Sequence, residues 1–431
     1  MNSSRIARLT ARQILDSRGR PTVEADVWLE DGSFGRAAAP SGASVGSHEA
    51  HELRDGDASD YEGRSVHRAV ASVAGEIAAA LKGADALDQR AVDDRLRTLD
   101  GTANLSRLGA NAILATSLAV SRAAADNRGV PLYRYIATLD GGRAPSLPLP
   151  MTNILSGGAH AGDAMDFQDF LAIPVSATSL PGAIAMLARI RAAANDEMKG
   201  AGLSVLLADE GGLSPGYGRA EQALEMMMRA IARAGLKPGD DVAIALDVAA
   251  SELFSGGMYA LKGEGKTIDG AAMASFVAGL CRRFPIVSVE DPLSEDDWDN
   301  WAGFTGAVPG VQVVGDDLFV TNAGRIGDGI ARKAANAVLI KLNQNGTLSG
   351  TLDAMAVAAR AGYATVVSAR SGETEDPYMS DFAVGTGAGQ IKIGSLRSSE
   401  RLAKYNQLLR IAEDDTLPFA GGAALGRGKP A

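Results

Sequence analysis

The sequence predicts an α/β protein: a TIM-type β/α barrel carrying a smaller α+β N-terminal domain. Three observations predict it. Beyond about Met151, short apolar runs alternate with helical patterns, the signature of buried parallel strands joined by helices. Three of those runs in succession end on carboxylates. The chain, at 431 residues, is long enough for one barrel of about 250 residues and a second unit.

In order along the chain, Thr22 to Leu29 alternates, placing Val23, Ala25, Val27 and Leu29 on one face. Asp31-Gly32 then turns the chain into Ser33 to Ala38, an antiparallel start. Pro40-Ser41-Gly42-Ala43-Ser44-Val45-Gly46 is too small and flexible for a core and reads as a mobile loop, with Gly42 and Gly46 permitting movement. Helical patterns over roughly 66–82 and 108–126 complete an N-terminal domain over 1–142. Gly141-Gly142, Pro145, Pro148 and Pro150 mark its end. The barrel domain, 143–415, is assigned strands at Phe170 to Ile173, Val205 to Ala208, the three acid-tipped runs, Ala337 to Ile340, Ala364 to Val367 and Gln390 to Ile393. Met226-Met227-Met228 and the Trp298, Trp301 pair read as packing. The tail, 416–431, repeats Gly, Ala and Pro and is expected to be disordered.

Composition narrows the function. With 46% hydrophobic and 22% charged residues the chain can bury a large core. A formal net charge of -10 argues against nucleic acid or an anionic membrane as partner. An anionic substrate would therefore need cations supplied locally. The start, Met1-Asn2-Ser3-Ser4-Arg5, has no apolar stretch of signal-peptide type, so a cytoplasmic location is expected. Cys281, the single cysteine, sits in an apolar helical pattern and reads as core.

The acid-tipped runs carry the chemistry. Ala243 to Leu246 ends on Asp247, Ile286 to Val289 on Glu290-Asp291, and Val311 to Gly315 on Asp316-Asp317. In a parallel barrel all three strands end at the same face, so Asp247, Glu290 and Asp316 should converge there. Taken singly, each acid could be a strand-end or capping residue; together they repel one another unless a cation lies among them. Four His and one Cys, without ligand spacing, disfavour zinc. An all-oxygen site favours Mg²⁺. The following runs bring cations: Val338 to Ile340 closes on Lys341 and Gln390-Ile391 on Lys392. A lysine at that position either snorkels to solvent or is paired. Held beside Mg²⁺, Lys341 should fall from the reference of about 10.4 toward neutrality and serve as a base.

At this point the residues resemble a family, enolase, from about Arg5 to Glu413. Ten blocks carry the resemblance. They are Asp16-Ser17-Arg18-Gly19, Ser41-Gly42-Ala43-Ser44, Gly157-Gly158-Ala159-His160-Ala161, Asp209-Glu210-Gly211-Gly212 and Leu246-Asp247. Val289-Glu290-Asp291-Pro292, Gly315-Asp316-Asp317-Leu318, Ile340-Lys341-Leu342-Asn343-Gln344, Arg370 to Asp376 and Ser399 to Lys404 follow in order. The resemblance implies that Asp247, Glu290 and Asp316 hold one Mg²⁺ and that Ser44 helps bind a second. It implies that Lys341 removes the proton alpha to the substrate carboxylate. Glu210 would protonate the departing hydroxyl with Asp169 assisting. Arg370 and Ser371 would hold the phosphoryl group, Lys392 the carboxylate, and His160 and Gln168 would line the pocket. A Lys base with Mg²⁺ is the general pattern of such sites. Removing a proton next to a carboxylate builds a dianion that only close cations stabilise. The acid that protonates the leaving group, such as Glu210, must then have a raised pKa. The family also implies a homodimer or larger homo-oligomer.

Three positions depart from the family pattern. Ala369 stands where the family has His, Asp169 where it has Glu, a side chain about 1.5 Å longer, and Val45 where Thr is usual. Leu213, Gly216, Ile393 and Ser395 differ further out. The expected activity is dehydration of a small anionic phospho- or phosphono-carboxylate resembling 2-phosphoglycerate. Loss of the imidazole at 369 leaves room for a larger phosphorus substituent, as in 2-phosphonoformylglycerate giving carboxyphosphonoenolpyruvate for phosphonate biosynthesis. Ordinary enolase chemistry, 2-phosphoglycerate to phosphoenolpyruvate, is the alternative; a catalytically idle paralogue with a binding or structural role is the other.

Overall fold

A computed structural model describes residues 3–43, 46–140, 143–414 and 416–425. The chain opens with an antiparallel meander of β1 (Ile6–Leu15), β2 (Pro21–Leu29) and β3 (Phe34–Ala38). The alternation read from Thr22 to Leu29 is the pleat of the central strand, whose Val23, Ala25, Val27 and Leu29 are buried. A helix over Ala110–Arg128, buried along most of its length, packs on that sheet. Gly35 sits at the closest approach: a Cβ there would lie 2.0 Å from the Ala119 carbonyl oxygen. Strand β1 escaped the sequence reading because its Arg8, Arg12 and Gln13 break the apolar alternation at a half-exposed edge.

The second unit is a closed eight-stranded barrel in the order β10-β11-β12-β13-β14-β4-β5-β6. Its strands are β4 (Leu149–Ser156), β5 (Asp169–Ile173), β6 (Ala243–Asp247), β10 (Ile286–Glu290), β11 (Gln312–Gly315), β12 (Ala337–Ile340), β13 (Ala364–Ser368) and β14 (Gly389–Lys392). A small sheet, β7 (Phe254–Ser255), β8 (Met258–Leu261) and β9 (Lys266–Ile268), projects between β6 and β10. The barrel is not wholly parallel, as the sequence reading assumed: β5 runs antiparallel to both β4 and β6. Consequently the N-terminal end of β5, with Gln168 and Asp169, lies at the same mouth as the C-terminal ends of its neighbours.

Two strand assignments change. Val205 to Ala208 forms no strand; Leu206 is 76% exposed and Leu207 makes only an isolated bridge to Leu213. The eighth strand is β4, hidden in the sequence by Pro148 and Pro150, which stand just before it and near its start, where a missing N–H is tolerated. The expected disorder from Thr416 does not hold for 416–425: Phe419 bridges to Leu147, and Gly421–Leu425 forms a 3-10 turn that seats Leu425 under the barrel. Apolar burial of Leu417 and Leu425 outweighs the flexibility of the glycines around them. Residues 426–431 lie outside the described residues.

Inside the barrel, side chains of alternate strand residues fill the lower layers, among them Leu149, Met151, Leu171, Ile173, Ala245, Leu339 and Val366. The same period of two continues to the mouth. Ala243 and Ala245 precede Asp247, Gln312 and Val314 precede Asp316, Ala337 and Leu339 precede Lys341, and Gln390 precedes Lys392. Polar groups therefore project from the top of an apolar plug. Met226 and Met227 are buried, as is Trp301, with Arg325 and Arg332 over the Trp298 ring. Among the described residues no helix is long and apolar enough to cross a membrane.

Candidate active site

Asp247 and Glu290 are register partners at the ends of β6 and β10. Two buried carboxylates so placed would repel, and the ammonium of Lys392 resolves it, lying 2.7 Å from an oxygen of each. Burial works to raise the Asp247 pKa, but Lys392 outweighs it and holds Asp247 low. Glu290 is driven well above the ordinary range, first by burial and then by Asp247. Lys392 is in turn held well above its usual value, since Asp247 and Glu290 outweigh burial.

Asp316, just past β11, accepts from Lys341 Nζ and from Gln344 Nε2, the latter at 2.8 Å. Thus the three predicted acids and two predicted lysines share one mouth, but each acid leans on a lysine rather than on the others. The acidic oxygens that crowd within 4.8 Å of one another belong to Asp291, Asp316 and Asp317. Asp291 has its own role there: with a φ of 40° it turns back to accept the amides of Asp316 and Asp317, each at 2.8 Å. The donor set nevertheless suits a hard divalent cation: carboxylate oxygens only, with a cationic group already seated between Asp247 and Glu290. Lys341 faces Asp316, and its pKa reflects that pairing. Burial lowers it, but Asp316 and other carboxylates prevail and raise it.

Across the mouth lies a second cluster, His160, Asp169 and Glu210, again within 4.8 Å of one another. A 3-10 turn over Gly158–Ala161, reached from β4, carries His160. Its Nδ1 is 3.1 Å from Asp169 Oδ2 and its Nε2 3.8 Å from Glu210 Oε1. The other Asp169 oxygen accepts from Asn153 and from Ser156 Oγ, the latter at 3.0 Å. Asp169 is wholly buried, and both of its oxygens are engaged by protein groups. The shorter aspartate sits back among Asn153, Ser156 and the imidazole. Burial raises its pKa despite His160. Glu210, expected to be raised, is lowered: burial is opposed and overcome by His160, Arg401 and both lysines.

His160 is held at about 9, because Asp169 and Glu210 outweigh the cost of burying its charge. A raised folded pKa means the imidazolium stabilises the fold fully below its unfolded value of about 6.5, and this contribution disappears as pH climbs through about 9. With four histidines in the chain, imidazole proton signals should resolve. Asp169→Asn is expected to move the His160 titration down toward 6.5. A wild-type His160 titrating at or below 6.5 would contradict this account.

Arg370, past β13, is buried in a bidentate pair with Glu49 and donates to Asn343 Oδ1 at 3.0 Å. Ser371 is buried beside it, its hydroxyl accepting from Arg18 at 3.3 Å. Ala369, 5% exposed, donates its amide to the Lys392 carbonyl at 2.9 Å and offers only a methyl group between Ser368 and Arg370. Gln168 gives Nε2 to Asp247 at 3.1 Å, while its Oε1 is buried and has no hydrogen-bond partner among the described residues. Ser44 and Val45 lie outside the described residues. The loop base is pinned by reciprocal amide bonds between Ser41 and Gly372, at 2.8 and 2.9 Å. Gly46 serves close approach, since a Cβ there would meet Val320, Asp317 and Glu295 within 3.3 Å. Cys281 is remote from this chemistry and its thiol is pushed up to about 12 by burial.

The sequence reading missed Arg401 and Glu49. Arg401 is fully buried, donates to the carbonyls of Ile393 and Ser371, and lies 3.8 Å from Glu210. In a helix reading Ser399-Glu400-Arg401-Leu402 it looks like any solvated charge. Comparison with known families matches residues 6–136 to the model described as "Enolase, N-terminal domain" and residues 144–425 to "Enolase, C-terminal TIM barrel domain".

Proposed function

This chain belongs to the enolase family, whose members are lyase-type enzymes, and from that premise we propose that it is a Mg²⁺-dependent dehydratase of a 2-phosphoglycerate-like substrate. The interleaving of Asp247, Glu290 and Asp316 with Lys341 and Lys392 at one barrel mouth supports this reading most strongly. Two Mg²⁺ ions, one on these three acids and one aided by Ser44, would supply the positive charge that a carboxylate dianion requires.

Were Asp316 shared in that way, Lys341 would lose part of the pairing that keeps it protonated, and its Nζ would accept the alpha proton. Lys392, which here lies between Asp247 and Glu290, would then be released to bind the substrate carboxylate. Glu210, held as a carboxylate beside the His160 imidazolium, would take up the imidazolium's proton and pass it to the beta hydroxyl, which departs as water while the C–O bond breaks. Arg370 and Ser371 orient the phosphoryl end, and His160, fixed by Asp169, keeps the proton supply close.

The finer part of the proposal is the substrate. Ala369 supports a phosphorus-modified analogue, 2-phosphonoformylglycerate, with carboxyphosphonoenolpyruvate as product in phosphonate biosynthesis. The decisive comparison is turnover of that compound and of 2-phosphoglycerate by the native protein and by Ala369→His. The native chain is expected to prefer the larger substrate, and Ala369→His to shift the ratio of kcat/KM values toward 2-phosphoglycerate by about tenfold or more. Full-speed conversion of 2-phosphoglycerate with indifference to the analogue would make it an ordinary enolase. Absence of Mg²⁺-dependent alpha-proton exchange with either compound would mark an idle paralogue.

A further inference from the structure

Glu49 follows the 40–46 loop, and its side chain is almost wholly buried. Its Oε2 accepts from Arg370 Nη1 at 2.9 Å. Its Oε1 is shared by three donors from three separate segments: Arg370 Nη2 at 3.2 Å, the Gly46 amide at 3.1 Å and Gln344 Nε2 at 3.3 Å. Gln344 is itself held, donating to Asp316 Oδ1 at 2.8 Å and accepting from Thr321 Oγ1 at 2.8 Å. One carboxylate therefore ties the end of the loop to the guanidinium and, through one amide, to an acid of the barrel mouth.

Burying such a pair brings little net stability, because desolvating both charges offsets their attraction. What it does bring is geometry: a bidentate carboxylate locks the planar guanidinium against rotation about its own stem. We propose that Glu49 is a positioning residue for the proposed reaction, holding Arg370 in the orientation that receives the phosphoryl group. The proposal rests on Arg370 as the phosphoryl anchor.

The test compares wild type with Glu49→Gln, which keeps shape but loses charge, and Glu49→Asp, which keeps charge but shortens reach. Two readouts are taken: steady-state kinetics with whichever substrate the wild type turns over, and calorimetric titration with inorganic phosphate in the presence of Mg²⁺. In Glu49→Gln, KM and the phosphate Kd are each expected to rise about tenfold, a larger factor than the fall in kcat. Glu49→Asp is expected to recover part of both, and it carries the test if the glutamine variant does not fold. A folded Glu49→Gln with unchanged phosphate affinity and KM overturns the proposal, as does a loss confined to kcat. Phosphate titration is independent of turnover. A weakened phosphate affinity in Glu49→Gln alongside an inert wild type would therefore uphold Glu49 while counting against the proposed reaction.

Discussion

Lys341→Met is expected to reduce turnover by about 10⁴-fold and to abolish exchange of the alpha proton in deuterated water. Methionine matches the length of the lysine stem but carries no nitrogen. The backbone of residue 341 stays fixed, because its amide donates to Thr321 Oγ1 at 2.9 Å whatever the side chain. Lys392 is not expected to substitute, since the proposed reaction uses it at the substrate carboxylate. The loss should therefore fall on kcat, with phosphate binding at Arg370 retained. Exchange persisting in Lys341→Met within about tenfold of wild type would remove Lys341 from the role of base.

Arg401→Met is expected to destabilise the barrel domain by about 3–5 kcal/mol, the usual cost of removing one partner from a buried charged network. Two carbonyls, at Ile393 and Ser371, would lose their donors inside the protein. Glu210 and Glu400 would lose a cation. Differential scanning calorimetry reads the effect, and a Tm equal to that of wild type would refute it. A pH signature accompanies it. Glu210 has a depressed pKa, so its ionised form contributes stability above its unfolded value of about 4.3, and that contribution is lost on acidification through the folded value. Because Arg401 is the second cation after His160 to act against burial at Glu210, its removal lets the Glu210 pKa climb. The part of the fall in Tm on acidification that Glu210 contributes should therefore be smaller in folded Arg401→Met than in wild type, while Arg401→Lys, which keeps the charge, should preserve it.

Much of this site was legible along the chain because strands impose a period of two. Once Asp247, Asp316, Lys341 and Lys392 end runs of alternating buried residues, the pleat alone sends them to one mouth. Glu290 needs an irregularity as well, since the register slips between Ile286 and Ser288 before it reaches its place opposite Asp247. Asp169 and Gln168 are another matter. They stand at the beginning of a strand, and only the reversed direction of β5 brings them to the others. No apolar pattern encodes strand direction, because a reversed strand alternates identically.

By resemblance to a family the sequence marked Ala369 as a departure; by itself it determined the two-part architecture and the convergence of acids with lysines. Composition and periodicity act over a few residues, and these features need nothing longer. Tertiary structure decided which charges neutralise which: Lys392 between Asp247 and Glu290, Asp169 withdrawn onto His160, Glu49 locked to Arg370 across 321 positions of chain. It also set the tendencies of the charged groups: His160, Arg401 and the lysines lower Glu210 against burial, and Asp316 raises Lys341 against burial. Electrostatic energy depends on separation and burial in space, and neither can be read from order along a chain.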